Sequence, residues 1–95
     1  MYNKNMLKSL LQKQQIDALK SGDSQKLEFL RYILSEIKNK EIDKKQELTD
    51  DEIKAVLDKI VKELDDSIKA AKTGGRNELQ VKYEAQKEII SSISK

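Results

Sequence analysis

Two acidic pairs, Asp50/Asp51 and Asp65/Asp66, are the residues of this 95-residue chain that by type come nearest to metal binding or general-acid chemistry. A hard cation needs several oxygens converging on one point. Adjacent residues of a helix point about 100° apart, so neither pair makes a site by itself. Asp50 and Asp51 read as helix-start electrostatics, and Asp65 and Asp66 as a solvated face. The segment EIDKKQELTDDE lacks the spaced oxygen ligands and central Gly of an EF-hand loop. TGGR, at 73–76, follows a helix rather than a strand and has no Lys-Ser/Thr after it, so it is not a phosphate loop. Ser91, Ser92 and Ser94 have no His to activate them. The chain contains neither Cys nor His, which removes thiolate nucleophiles, zinc sites, Ser-His and Cys-His triads and the usual general base near neutral pH. No catalytic constellation is present, and no metal or cofactor is expected.

Cations offer the other chemistry, which is phosphate contact. Arg31 and Lys38 share one face of a helical segment, and Lys40, Lys44 and Lys45 continue beyond it. Arg76 follows two glycines at a helix junction. Arg31, Lys38, Lys44, Lys45 and Arg76 are therefore the candidate nucleic-acid contacts, of the kind that position a backbone rather than read bases. Glu28, Glu41, Asp43 and Glu47 are interleaved among them, so a solvated surface of salt bridges is the competing reading. An Arg at the position of Arg76 can equally serve the carbonyls of the preceding helix. The aromatics Phe29, Tyr32 and Tyr83 lie beside the expected core at helical spacings, which disfavours base stacking.

Four helical segments must position these groups. The first spans about Asn3 to Lys20, with Leu7, Leu10, Leu11, Ala18 and Leu19 apolar and Gln14 and Gln15 interrupting. Gly22 is suited to closing it, and Ser24 or Asp23 to capping the next. The second runs from about Ser24 to Lys40, with Leu27, Leu30, Leu34 and Ile37 on one face and Ile33 broadening it. Phe29 and Tyr32 fall at its margins. The third starts at ELTDDEI, where Thr49 is the N-cap, Glu52 completes a capping box, and Leu48 and Ile53 form a hydrophobic staple. Its stripe is Ile53, Leu57, Ile60, Leu64, Ile68 and Ala71. The fourth begins near Asn77 and carries Leu79, Tyr83, Ile90 and Ile93. Its end, IISSISK, leaves an incompletely covered stripe of Ile89, Ile90 and Ile93, the candidate surface for a protein partner or a second copy of the chain.

The pattern predicts an all-α fold, a compact bundle of four helices with antiparallel neighbours joined by short loops. Heptad-like spacing in the second and third helices is too short and too interrupted for a coiled coil. No Pro, three Gly and an abundance of Lys, Glu, Leu and Ile suit helix almost throughout. A chain of this length buries only roughly 60–65% of its unfolded surface, so its core is thin. Net charge is +2, too small to imply a polyanion partner. Residues 1–48 hold 10 basic and 7 acidic residues against 9 and 10 in 49–95, a mild basic bias at the front. Nothing resembles a signal peptide or a membrane span, so a soluble cytoplasmic protein with no membrane partner is expected.

The ordered set ALKSGD, LEFLRYILSEIKNKEID, ELTDDEI and DSIKAAKTGGRNEL resembles the YqeY-like family. That family's members are similar to the tail domain of the B subunit of glutamyl-/aspartyl-tRNA amidotransferase. Ala18, Lys20, Gly22 and Asp23 match its first turn. Leu30, Arg31, Lys38, Asn39, Glu41, Ile42 and Asp43 match its Leu-Arg helix leading to Lys-Asn-x-Glu-Ile-Asp. Glu47, Leu48, Thr49, Asp50 and Glu52 match the next helix start; Asp66, Ser67, Ile68, Gly75, Arg76 and Leu79 match the Asp-Ser-Ile and Gly-Arg-x-x-Leu elements. The resemblance implies a helical domain over 1–95, with the family's second small helical domain expected to be absent. It implies a non-catalytic accessory module rather than an enzyme, binding tRNA or an amidotransferase-like complex. The alternative is a protein-interaction or self-associating module without RNA binding. Family members often carry a basic pair just before Asp-Ser-Ile, where this chain has Leu64 and Asp65.

Overall fold

The computed structural model describes residues 6–93. Four helices make up almost all of it: α1 (Met6–Ser21), α2 (Ser24–Lys44), α3 (Asp50–Thr73) and α4 (Asn77–Ile93). Among the described residues there is no strand, so the fold is all-α as the periodicity requires. The chain divides into two compact units, Met1–Val56 and Leu57–Lys95, and the division falls inside α3.

In the first unit α1 packs on α2. Leu11 and Ala18 of α1 are buried, while Leu7, Leu10, Gln14 and Gln15 are half-buried. Leu19, expected inward, is 62% exposed, because it lies about 100° round the helix from the buried Ala18. The residues 3–5 assigned to this helix from sequence lie outside the described ones. Helix α2 buries Phe29, Leu30, Ile33 and Ile37, so its inward face is turned toward Phe29, with Leu27 and Leu34 half-buried at the edge. It also runs to Lys44 rather than Lys40, since no Gly or Pro intervenes to stop it. Leu48 and Ile53 are both buried, consistent with the hydrophobic staple.

The caps follow local chemistry. Asp23, rather than Ser24, caps α2, its Oδ1 accepting from the Lys26 N–H at 3.2 Å. At α3 the Thr49 Oγ1 accepts from the Glu52 N–H at 3.3 Å, and Glu52 Oε1 accepts from the Thr49 N–H at 2.9 Å, a reciprocal capping box. The Asp50 carboxylate accepts the Leu7 N–H at 3.1 Å. It therefore satisfies an orphan donor at the start of α1 from the start of α3.

In the second unit α3 buries Leu57, Ile60, Leu64 and Ala71, and α4 buries Ile90 and Ile93. The turn at 74–76 returns the chain, and Lys87 of α4 pairs with Asp65 of α3 at 2.7 Å. Asp65 and Asp66 are both exposed, the solvated face expected of them, and within it Asp65 pairs with Lys87.

One polar residue occupies the inward register of α2. Glu41 follows Ile37 by four positions, where the next apolar residue would fall. Its carboxylate accepts from Lys8 Nζ at 2.9 and 3.2 Å and from the Leu48 N–H at 3.1 Å. Its side chain is only 13% exposed. Partial burial works against its ionisation, but the Lys8 ammonium and the Leu48 N–H outweigh that and hold its pKa below the ordinary 4.5. A depressed folded-state pKa adds stability that is present above the unfolded value and lost as pH falls through the folded one. Replacing Glu41 with Ala leaves the Leu48 N–H and Lys8 without this partner and should cost about 2 kcal/mol near neutral pH. Glu41→Gln should be less stable than the native chain at pH 7, with the gap closing as pH falls below 4.5. Urea unfolding of the two proteins across that range measures it, and a gap independent of pH would contradict the assignment.

Candidate functional site

All three interhelical corners use the same backbone device. At the end of α1 the Gly22 N–H bonds the Leu19 carbonyl and the Asp23 N–H bonds that of Ala18, at 3.3 and 3.0 Å. At the end of α3 the Gly75 N–H bonds Lys72 and the Arg76 N–H bonds Ala71, at 3.2 and 2.8 Å. Gly22 and Gly75 have φ of 76° and 68°, the left-handed state this closure needs. At the end of α2 the Lys45 N–H bonds Ile42 and the Gln46 N–H bonds Glu41 at 3.3 and 3.2 Å, with Lys45 at φ 61°. Here a lysine stands where the other two corners have glycine, and its Cβ makes that conformation unfavourable by roughly 1–2 kcal/mol.

The corner presents Lys45 next to the exposed side of α2. Burial of Phe29, Leu30, Ile33 and Ile37 turns Arg31, Tyr32, Ser35, Lys38, Asn39 and Ile42 outward. Arg31 and Lys38 lie two turns apart, about 10.5 Å along the axis. Neither they nor Lys45 has an ion-pair partner among the described residues. Of the four interleaved acids, two are drawn elsewhere: Glu41 to Lys8, and Glu47 to the same ammonium at 3.8 Å. Glu28 and Asp43 stay exposed on α2, and Glu36, between Arg31 and Lys38, is half-buried, so the face is mixed in sign.

The other candidates separate from this group. Lys44 pairs with Glu52 across the α2–α3 connection. The Lys44 ammonium and the Thr49 N–H hold the Glu52 carboxyl below its ordinary range. Arg76 belongs to the second unit, exposed at the turn before α4, and lines an open depression with Gly75, Asn77, Glu78 and Leu79. The stripe Ile89, Ile90 and Ile93 is not the uncovered surface expected from sequence. Ile90 and Ile93 are 2% and 3% exposed and Ile89 is half-buried; an apolar helix end is unfavourable in water, and this one is covered.

Residues 8–93 match the family described as Yqey-like protein. The chain belongs to the YqeY-like family. A comparison with curated protein sequences gives no match. The YqeY-like match takes in Lys8, Glu41 and Leu48 together, so it covers the polar junction of the first unit as well as the cationic side of α2. Sequence reasoning passed over Lys8 and Glu41 as partners. The available signal was a carboxylate in the register of a buried stripe, three residues after Lys38 and four after Ile37. Tyr32 stands at the margin of the α2 stripe, 45% exposed, whereas Phe29, expected there with it, is buried.

The glycine-like backbone at Lys45 has a measurable consequence. Lys45→Gly should raise stability by about 1 kcal/mol in urea unfolding at unchanged helix content. A loss of stability would mean that the lysine side chain holds the corner.

Proposed function

We propose that this YqeY-like chain is a non-catalytic accessory module that binds RNA, tRNA being the natural ligand, through the exposed cationic side of α2. The observation that carries the reading is the set Arg31, Lys38 and Lys45, without an ion-pair partner among the described residues, on or just past a helix where Lys8 engages Glu41 and Glu47 while Glu28 and Asp43 stay exposed. Unpaired cations with a fixed spacing on a rigid helix bind phosphates by releasing counterions. Their contacts fix position along a backbone and carry no base information. The choice of tRNA follows membership of the YqeY-like family, whose members are similar to the tail domain of an aminoacyl-tRNA amidotransferase subunit, with an amidotransferase-like complex as the setting and the cytoplasm as the compartment. Absence of His and Cys, and the engagement of Asp50, Asp65, Glu41 and Glu52 in caps and ion pairs, support a module that positions a substrate while other domains act on it. Self-association through Ile89, Ile90 and Ile93 loses its basis with two of the three buried.

Binding of labelled tRNA, followed by anisotropy, should weaken steeply between about 50 and 200 mM salt. The double variant Arg31→Ala, Lys38→Ala should weaken binding and make the slope of log affinity against log salt shallower by about 1.5. Lys44→Ala, whose ammonium is engaged by Glu52, should change that slope least. No detectable binding of tRNA at the lowest salt would rule out the reading.

A further inference from the structure

We infer that Tyr32 is a stacking platform for an unpaired RNA base, so that this face of α2 takes single-stranded segments, loops or ends, in preference to duplex. The inference rests on the RNA-binding reading above and names the class of RNA that the same site accepts. Tyr32 is 45% exposed, while Phe29, one turn earlier, is 5% exposed. Their rings stack with centroids 6.4 Å apart and planes 24° apart. A buried ring therefore braces an exposed one from the protein side, which limits the torsional freedom that a lone surface aromatic would lose on binding.

The surroundings of the ring select its occupant. Around Tyr32 the exposed neighbours are Glu28, Arg31, Ser35 and Asn39. Exposed Ile42 lies ten positions on, about 15 Å along the axis. A protein-docking face of this size would need contiguous apolar area, and here one flat ring is set among the Arg31 guanidinium, an amide, a hydroxyl and the carboxylates of exposed Glu28 and half-buried Glu36. A nucleotide is matched instead: the base lies on the ring, Ser35 and Asn39 supply polar groups for its edge, and Arg31 and Lys38 receive the flanking phosphates. In an A-form duplex the bases are already stacked on one another and offer no free face. A duplex can meet the cations only.

The test compares an oligoadenylate of about twelve nucleotides, a site size within the range of single-strand binders, with an RNA duplex of equal length. Titration at low salt is read by anisotropy of the labelled RNA and by the protein's own tyrosine fluorescence, since there is no Trp. Tyr32→Ala should lower affinity for the oligoadenylate about 5- to 100-fold and leave duplex affinity within about twofold. Tyr32→Phe should retain the native affinity, and Tyr32→Leu, which keeps an apolar contact for Phe29, should lose it as Ala does. Circular dichroism establishes that each variant is folded, and Tyr32→Leu serves if Tyr32→Ala is not. The salt slope should be unchanged in the Tyr32 variants, because no phosphate contact is removed. If both RNAs bind, Arg31→Ala weakens them, and Tyr32→Leu binds oligoadenylate like the native protein, then stacking is overturned while RNA binding stands. If neither RNA nor tRNA binds, the RNA-binding reading itself is overturned, and the inference with it.

Discussion

The Glu41 carboxylate is the constraint on which the first unit depends. It lies in the inward register of α2 and draws together three separate parts of the chain. Lys8 reaches it from α1, the Leu48 N–H reaches it from the connection to α3, and its own main-chain carbonyl accepts the Gln46 N–H. A group this little exposed is unfavourable without partners, and the Leu48 N–H would lose its acceptor without the carboxylate. The connection is consequently ordered at close intervals: Lys45, Gln46, Leu48 and Thr49 all place their N–H groups on named acceptors. Leu48 and Ile53 then bury their side chains, and Thr49 and Glu52 start α3.

Two helix starts meet in this unit, which raises an electrostatic difficulty. The N-termini of α1 and α3 both carry partial positive charge, and Asp50 bridges them by accepting the Leu7 N–H while standing in the first turn of α3. The acidic run Asp50, Asp51 and Glu52 is thereby shared between two helices. This widens the helix-start reading of Asp50, which on sequence concerned α3 alone. The run is adjacent to Lys44, whose pairing with Glu52 ties the last turn of α2 to the first of α3. The Lys44 and Glu52 charges are thus spent on each other at the α2–α3 junction, while Lys45 and Asp51 stay exposed there.

Sequence alone conveyed the helices, the capping box, the staple and the two glycine turns, because each depends on residues within about four or five positions of one another. The Lys45 corner it did not, since α2 runs four residues past its expected end at Lys40. It also conveyed the all-α class through the spacing of Leu30, Ile33, Ile37, Ile53, Leu57 and Ile60. What it did not convey was anything requiring two distant segments. The Lys8–Glu41 pair spans 33 positions and the Asp50–Leu7 bond 43. The rotation of α2 that exposes Tyr32 and buries Phe29 depends on how α1 packs against it, and a broad apolar arc leaves that choice open. The candidate cations were all legible as cations. Their separation into Lys44, engaged at a helix junction, and Arg31, Lys38 and Lys45, without ion-pair partners among the described residues, required the fold.

That separation links stability to the proposed function. Were Glu41 and Glu47 turned toward the exposed side of α2, they would join Glu28 and Asp43 there, and acids would outnumber Arg31, Lys38 and Lys45. Lys8 draws both of them, so the interaction that holds α1 to the α2–α3 connection also keeps these two carboxylates away from the cations of that side. Lys45 adds to that side from a backbone conformation that glycine would adopt with less strain. Strain of this kind persists where the surrounding structure over-determines it and often coincides with function. The segment KNKEIDKK, residues 38–45, is therefore explained in two directions: its Glu41 faces inward and fixes the frame, and the lysines at its two ends, Lys38 and Lys45, are the charges that the frame leaves available to a phosphate backbone.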